Sequence, residues 1–467
     1  MSDEKPKGKS FDRSIVEGPI TGAVWKLAWP TMLQNVIGGL QGIVDHVMVG
    51  NFVGYTGNAA IGVSWQIFLV VMVFIASLFT GMGVLVARFT GANESEKVNR
   101  TVYQAFITAA FLSIGVLAPL GYFLAPSLLE LVNATPAVQA EALPYIRILF
   151  VFSFGMMVFF MLGGALRSAG DAKTPLRFGI GLTVLNLLLN VVLIRGLGPI
   201  PAFGTKGAAM GTVIAGGIMA LVAIYCLFAG RWVVAFHRGM SFLPDLGIIR
   251  ELFRFGLPAG VQGVAMNVGG VLLLRFIGSL EASAEAQAAY AIGYTELFSL
   301  VTWTSVGLMG AAAAVAGQNL GAGQPDRSLQ GVRVASRIGL SVATFIGILF
   351  LAMPRLLLNA FGMDDPAVVE IGVQLLAYLA VSGLFITVAL TYTGGLQGTG
   401  DTRSPLYISI VSQLIIPLGM CWIIQRVSTL EAHHIWMAIV LGHVTRSVLS
   451  VFRFRQGDWR DIQVDIG

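Results

Sequence analysis

Long apolar runs separated by short polar stretches dominate this chain. Twelve such runs lie near Trp25–Gly50, Ala59–Ala87, Val102–Ala125, Ala142–Leu166, Pro175–Ile194, Gly207–Gly230, Leu252–Gly278, Ala288–Gly317, Ile338–Met353, Val368–Leu396, Pro405–Ile424 and Ile435–Phe452, the ninth being the weakest. Runs of roughly 20 residues suffice to cross a hydrocarbon core about 30 Å thick. With no water there to take up N–H and C=O groups, each span must satisfy its own backbone, which selects helices over open strands. The pattern predicts an all-α polytopic membrane protein with twelve transmembrane helices.

The polar punctuation between the runs is written twice. "LRSAGDAKTPL" at Leu166–Leu176 returns as "LQGTGDTRSPL" at Leu396–Leu406, an offset of 230 residues. Pro136-Ala137-Val138 pairs with Pro366-Ala367-Val368, and Gly91-Ala92 with Gly321-Ala322, at the same offset. "AWP" at Ala28–Pro30 answers "GLP" at Gly256–Pro258 at an offset of 228. Two halves of six spans each follow, and because six is even both enter the membrane in the same sense. Such parallel repeats are expected to superpose after a rotation of about 180° about the membrane normal. The expected organisation is a tail at 1–20, an amino-terminal six-helix lobe at 21–230, a connector at 231–250, a carboxyl-terminal six-helix lobe at 251–455 and a second tail at 456–467. In each repeated turn, Gly170 or Gly400 lets the preceding helix end, and Thr174 or Ser404 reads as the N-cap before a helix-starting proline. Asp171 and Asp401 are expected to brace the turns.

Composition agrees: the chain is 56% hydrophobic and 11% charged, against about 25% charged in soluble domains. The bases then set orientation. With both termini in the cytoplasm, about 23 of the 29 Lys and Arg fall on cytoplasmic segments, including Lys5, Lys7, Lys9, the Arg88–Arg100 loop and the Arg231–Arg254 stretch. The net charge of +5 therefore reflects topology, and no nucleic-acid partner is expected. No cleavable signal pattern opens the chain. Cys226 and Cys421 both sit in apolar runs and read as small core residues.

The paired "GDxKTP" and "GDTRSP" turns, "DHVMVG" in the first run and "LGAGQPDRS" after the eighth resemble the multidrug and toxic compound extrusion (MATE) transporters of the MOP flippase superfamily, prokaryotic type. "NLLLNVVLI" in the fifth run and "GTKGAAMGT" opening the sixth point the same way, and the resemblance extends from about Gly18 to Phe454. It implies two six-helix bundles around a central cavity. It also implies a secondary antiporter that exports amphiphilic, often cationic, small molecules in exchange for protons or sodium ions. Such a protein is multi-pass in the plasma (inner) membrane of a prokaryote, both termini cytoplasmic, with the lipid bilayer and a small-molecule substrate as partners. It is expected to be a monomer and not an enzyme, with no cofactor beyond the transported coupling ion.

Ionisable groups inside a span cost about 2.5–3.5 kcal/mol each, so those that remain need a reason. Two acids lie well within runs, Asp45 in the first and Glu296 in the eighth. Asp45 reads either as an interfacial carboxylate near the Gly50-Asn51 exit or as a coupling group. Asn186 and Asn190 share one face of the fifth helix by i, i+4 spacing, and Thr212 can match their depth. Carboxylate, amide and hydroxyl oxygens form a hard set suited to sodium, while a desolvated carboxylate could carry a proton instead. By resemblance the family's amino-terminal cation site falls on Asp45, Asn186, Asn190 and Thr212. Asn190 stands where some members carry a second aspartate, so the identity of the ion stays open. The NorM branch carries acids in the seventh and tenth spans, where this chain has Met266 and Ile386.

Glu296 could face the cavity and attract a cation, or pair with Arg275. Gln34, Asn35 and Asn267 are further cavity donors by position. "GGLQG" at Gly38–Gly42 and "GAAMG" at Gly207–Gly211 read as close-packing stripes, Pro30 and Pro258 as kinks or ordinary helix starts, and Met156, Met157 and Met161 as core or lipid-facing. Neither a nucleotide-binding loop nor a metal-ligand set is present, and His433-His434 has no partner suggesting a metal. A lipid-linked oligosaccharide flippase is the related alternative, but it would want bases in the spans, where Arg147 and Arg275 are the ones that stand out. A membrane-embedded enzyme or a channel is the alternative of another class, and its clustered catalytic groups or pore charges are not seen.

Overall fold

In the computed structural model, which describes residues 10–132, 134–237 and 239–464 and leaves aside the side chains at 55 and 73–76, every predicted run lies within helix. The first half contains α1 (Ile20–Phe52), α2 (Tyr55–Gly91), α3 (Ser95–Leu131), α4 in two pieces (Pro136–Val151 and Phe154–Ser168), α5 (Lys173–Arg195) and α6 (Thr205–Phe228). The second contains α7 (Leu246–Gly278), α8 (Ser283–Gly321), α9 (Pro325–Ala352), α10 (Pro366–Thr399), α11 (Arg403–Val427) and α12 (Ala432–Gln456). Lys5, Lys7 and Lys9, and the last three residues of the tail, lie outside the described residues.

Among the described residues nine helices are long and apolar enough to cross a membrane, or up to eleven if each bent pair is one span. The bent pairs are Thr56–Met72 with Ser77–Gly91, at 44°, and Pro136–Val151 with Phe154–Ser168, at 54°. Helix α1 falls short of that apolarity despite its 33 residues. Gln34, Asn35, Gln41, Asp45 and His46 interrupt it. The fold is an all-helical, polytopic one of twelve helices in two six-helix bundles.

The chain forms two compact units, Val36–Gly260 and Arg13–Asn35 with Val261–Val464. Helices α1 and α7 each pass from one unit to the other shortly after a proline inside the helix, Pro30 and Pro258. A proline there removes a backbone hydrogen bond and crowds the preceding turn, which makes the passage a soft point.

In the first unit the segment between α6 and α7 folds back on α3. Asn99 accepts a hydrogen bond from the Ala235 amide at 3.0 Å, Gln104 donates to the Leu243 carbonyl at 2.8 Å, and Arg100 pairs with Asp245 at 2.7 Å. Trp232, Val234 and Phe236 are buried beneath it. Helix α4 supplies core: Met156, Met157 and Met161 are all buried. The stripe at Gly207–Gly211 packs closely on α5. A Cβ at Gly207 would strike the Leu193 carbonyl, and one at Gly211 would strike Asn190 Oδ1. Gly38 and Gly42 do not behave as a packing stripe; a Cβ at either would meet nothing within its own unit.

In the second unit Leu297, Phe298, Val301, Leu375, Leu376, Leu379, Ile386 and Trp436 sit in one continuous apolar core. The short helix at Ser14–Glu17 joins this unit, with Arg327 donating to the Gly18 carbonyl. Cys226 and Cys421 are buried and unbridged, each within one unit's interior.

The two repeated turns have the same construction. Gly170 and Gly400 take φ of 95° and 100°, the left-handed region that ends a helix without Cβ strain. The cap itself differs from the sequence expectation. Thr174 and Ser404 are not N-caps; they lie just inside α5 and α11, while Asp171 and Asp401 accept from their backbone amides and hydroxyls. The carboxylate two residues before each helix reaches more free donors than the hydroxyl can, so it takes the capping role.

Candidate functional site

A continuous polar chain runs through the first unit between α1, α5 and α6. Asn190 Nδ2 donates to Asp45 Oδ1 at 2.8 Å and to Asn186 Oδ1 at 3.2 Å. Asn186 Nδ2 donates to the Thr212 hydroxyl at 3.2 Å, and that hydroxyl donates to the Ala208 carbonyl one turn back at 3.0 Å. All four residues singled out from the sequence therefore meet. Helical periodicity puts the two asparagines on one face, and the small Gly207–Gly211 stripe lets α6 approach that face. Gly211 leaves room for the Asn190 amide, since any side chain there would occupy the same space.

Asn186 and Asn190 are fully enclosed, while Asp45 is half-buried. The Asn190 Oδ1 atom is buried without a hydrogen-bond partner. An orphaned acceptor of this kind is uncommon in a folded interior and marks a place where a proton donor or a cation is welcome. The chain contributes in one place a carboxylate, two amide oxygens and a hydroxyl, which is the oxygen chemistry of a monovalent cation site.

Sequence reasoning missed two members of this cluster. Gln41, one turn before Asp45, donates to Asn186 Oδ1 at 3.0 Å and accepts from the Thr183 hydroxyl at 2.7 Å. Gln41 and Thr183 carried a signal, because both sit one helical turn from residues already chosen. Next to Asp45, His46 makes a close hydrogen bond with Asn58 on α2.

Asn35 and Asn267 each donate to the carbonyl four residues back on their own helix, at 2.8 and 2.9 Å. No hydrogen bond joins any two of Gln34, Asn35, Asn267 and Glu296 among the described residues, and Glu296 makes no ion pair with Arg275. His434 is spent at the start of α12, where its Nδ1 accepts from the Glu431 amide at 3.1 Å. No cluster of metal-ligating side chains occurs among the described residues. The sequence reading also passed over a base. Arg446 lies well inside α12 and is 1% exposed, so the spans hold a buried guanidinium beyond Arg147 and Arg275.

A family model described as MatE matches residues 30–192 and 258–423, most of both halves. A probable multidrug resistance protein NorM of Thermotoga maritima is 26% identical over 439 residues, covering 93% of this chain and 92% of that protein. A probable multidrug resistance protein YoeA of Bacillus subtilis is 25% identical over 437 residues, 93% of each chain. Among solved structures, an outward-facing multidrug resistance MATE family transporter of the MOP superfamily matches 98% of this chain and 100% of its own, with a TM-score of 0.89 at 21% identity. That likeness speaks for the fold, while the family match covers the helices that carry Asp45, Asn186 and Asn190. The chain belongs to the MatE family, the multidrug and toxic compound extrusion transporters of the membrane.

Proposed function

We propose that this protein is a secondary antiporter that exports amphiphilic, often cationic, small molecules, and that Asp45 is its coupling carboxylate. The observation that carries the reading is the 2.8 Å hydrogen bond from Asn190 to Asp45, continued through Asn186 to Thr212. The names of the relatives support export of drug-like cargo, since several are multidrug resistance proteins.

A proton arriving at Asp45 would neutralise the carboxylate, weaken its hold on the Asn190 amide and free that donor to turn. A sodium ion would instead be met by the carboxylate, the orphaned Asn190 Oδ1 and the Thr212 hydroxyl oxygen. Either ion changes the charge and hydrogen bonding that tie α1 to α5, and so couples ion entry to movement of the lobes at 21–230 and 251–455. The driving force is about 2.3 kcal/mol per unit charge for each 100 mV of membrane potential. The basic asymmetry supports a plasma-membrane protein of a prokaryote with both termini in the cytoplasm. Ser283→Cys should then react with an impermeant thiol reagent from outside the cell and Lys173→Cys should not; the reverse pattern overturns that orientation.

Purified protein in vesicles decides the rest. Wild type is expected to drive uphill export under a proton gradient alone or a sodium gradient alone, which names the ion. Asp45→Asn keeps the shape, removes the charge, and is expected to abolish driven export under either. Wild-type export by that variant would move the coupling site elsewhere.

A further inference from the structure

The second unit holds a buried cation that the coupling reading does not use. Arg446 on α12 is 1% exposed, and its Nε and Nη1 atoms are enclosed without any hydrogen-bond acceptor. No carboxylate lies within ion-pair distance of it among the described residues. The titratable groups on the neighbouring faces are the His443 imidazole one turn earlier on α12 and the Tyr294 phenol on α8, whose ring meets Phe298 at 5.4 Å, and neither is a carboxylate. His443 is 2% exposed and engaged with the Ser382 hydroxyl on α10 at 2.5 Å, its ring stacked on Phe298 at 6.1 Å. One turn after Arg446 on the same face, Ser450 is fully buried, and its hydroxyl too has no partner.

An arginine stays protonated in a protein. Enclosing it without a counter-charge is among the most costly arrangements a fold can hold, and an ionisable group kept inside a membrane span calls for a partner. The free donors around it, two guanidinium nitrogens and a hydroxyl, are the groups an anion needs, and the guanidinium charge repels a cation. A divalent phosphate would bring more charge than one guanidinium can offset.

We propose that Arg446, with Ser450, forms a monovalent anion site inside the carboxyl-terminal unit. The anion comes either from solution as a halide or from cargo as a carboxylate. In the second case the protein would accept zwitterionic or anionic amphiphiles as well as cations. The site is distinct from Asp45 and lies wholly within the other unit, so the test reads binding rather than transport.

Binding of radiolabelled chloride to the purified full-length protein by scintillation proximity, with benzoate as competitor, separates the two sources. Saturable chloride binding that benzoate displaces only weakly identifies a solution halide. Saturable binding of labelled benzoate without chloride binding identifies a cargo carboxylate. In either case Arg446→Met is expected to lower affinity at least tenfold, Arg446→Lys to retain part of it, and Ser450→Ala to weaken it severalfold. Asp45→Asn should leave it unchanged, which keeps this result separate from the coupling reading. Should Arg446→Met fail to fold, wild type alone decides through its melting temperature. A saturating anion should raise that temperature by several degrees, and no variant is needed to see it. No anion binding by wild type, or undiminished binding by a folded Arg446→Met, overturns the proposal and leaves internal water as the partner of the guanidinium.

Discussion

At their repeated turns the two halves differ by hardly more than a tenth of an ångström. Thr174 donates its amide and hydroxyl to Asp171 at 3.0 and 2.6 Å; Ser404 donates the same groups to Asp401 at 3.1 and 2.7 Å. Deeper in the spans the likeness ends. At the repeat offsets, Asp45, Asn186, Asn190 and Thr212 are answered by Leu273, Ile416, Met420 and Gly442. In the opposite direction, Arg446 and His443 are answered by Gly216 and Val213. A Cβ at Gly216 would meet the Gly155–Met156 backbone of α4 at ordinary van der Waals distance. Backbone turns are held by local hydrogen bonds that any copy of the motif can make, so they survive duplication. A buried polar group depends on partners from other helices, so its counterpart in the other half need not recur. Among the described residues the first half carries the hydrogen-bonded cluster at Asp45 and the second the enclosed guanidinium of Arg446.

The turns themselves differ in one respect. Asp401 is 7% exposed and also accepts from Arg453 Nε at 3.1 Å, and Arg453 ties it onward to Asp458 in the carboxyl-terminal segment. Trp459 in that segment is buried and stacked on Phe454 at 4.8 Å. The first half has Ala223 at the repeat position of Arg453, and Asp171 is left with its own turn.

Removing the titratable charge tests the contrast most severely. Asp45→Asn is expected to lower gradient-driven export by about 100-fold or more, while Glu296→Gln stays within about threefold and acts mainly on the affinity for cationic cargo. Equal losses would mean that coupling is shared between the units. A matched pair of truncations comes next. Asn190→Ala is expected to reduce driven export about tenfold, and Met420→Ala, its counterpart, less than twofold in the same vesicle assay. Gly211→Ala should act like Asn190→Ala, because its Cβ falls on the Asn190 amide oxygen. The corresponding position already carries Leu441, which is 44% exposed and meets no such obstacle.

The smallest expected effects are on stability. Asp401→Asn breaks a buried, charge-assisted pair and should cost about 2 kcal/mol, whereas Asp171→Asn should cost about 0.5–1 kcal/mol. Melting temperatures of the two purified variants, each against wild type, measure the difference. A cost at Asp171 as large as that at Asp401 would remove Arg453 from the explanation.

Much of this molecule was legible in one dimension. A bilayer imposes a length on every span and forbids open backbone, so apolar runs translate directly into helices. Duplication at offsets of 228–230 residues then shows as matching turn residues. The choice of Asp45, Asn186, Asn190 and Thr212 was also within reach. An acid in a span is rare, two asparagines at i, i+4 must share a face, and a glycine stripe announces a close helix contact. The limits appear where local rules compete or say nothing. Hydroxyls before a proline looked like caps, but the acid three residues earlier reaches the free amides better. Gly38 and Gly42 had the spacing of a packing stripe and no neighbour in their unit to pack against.

What the sequence determined by itself was the helical spans, the internal repeat and the place of the turns, because each depends on periodicity or on contacts within a few residues. Only the tertiary structure decided that Gln41 and Thr183 join the Asp45 cluster, and that α1 and α7 each divide between two compact units after their prolines. It also decided that Arg446, one base among several in the last apolar run and its flank, is enclosed with its Nε and Nη1 unpaired. The azimuth of a membrane helix is set by side chains on its neighbours, and a sequence read along one helix carries no record of them.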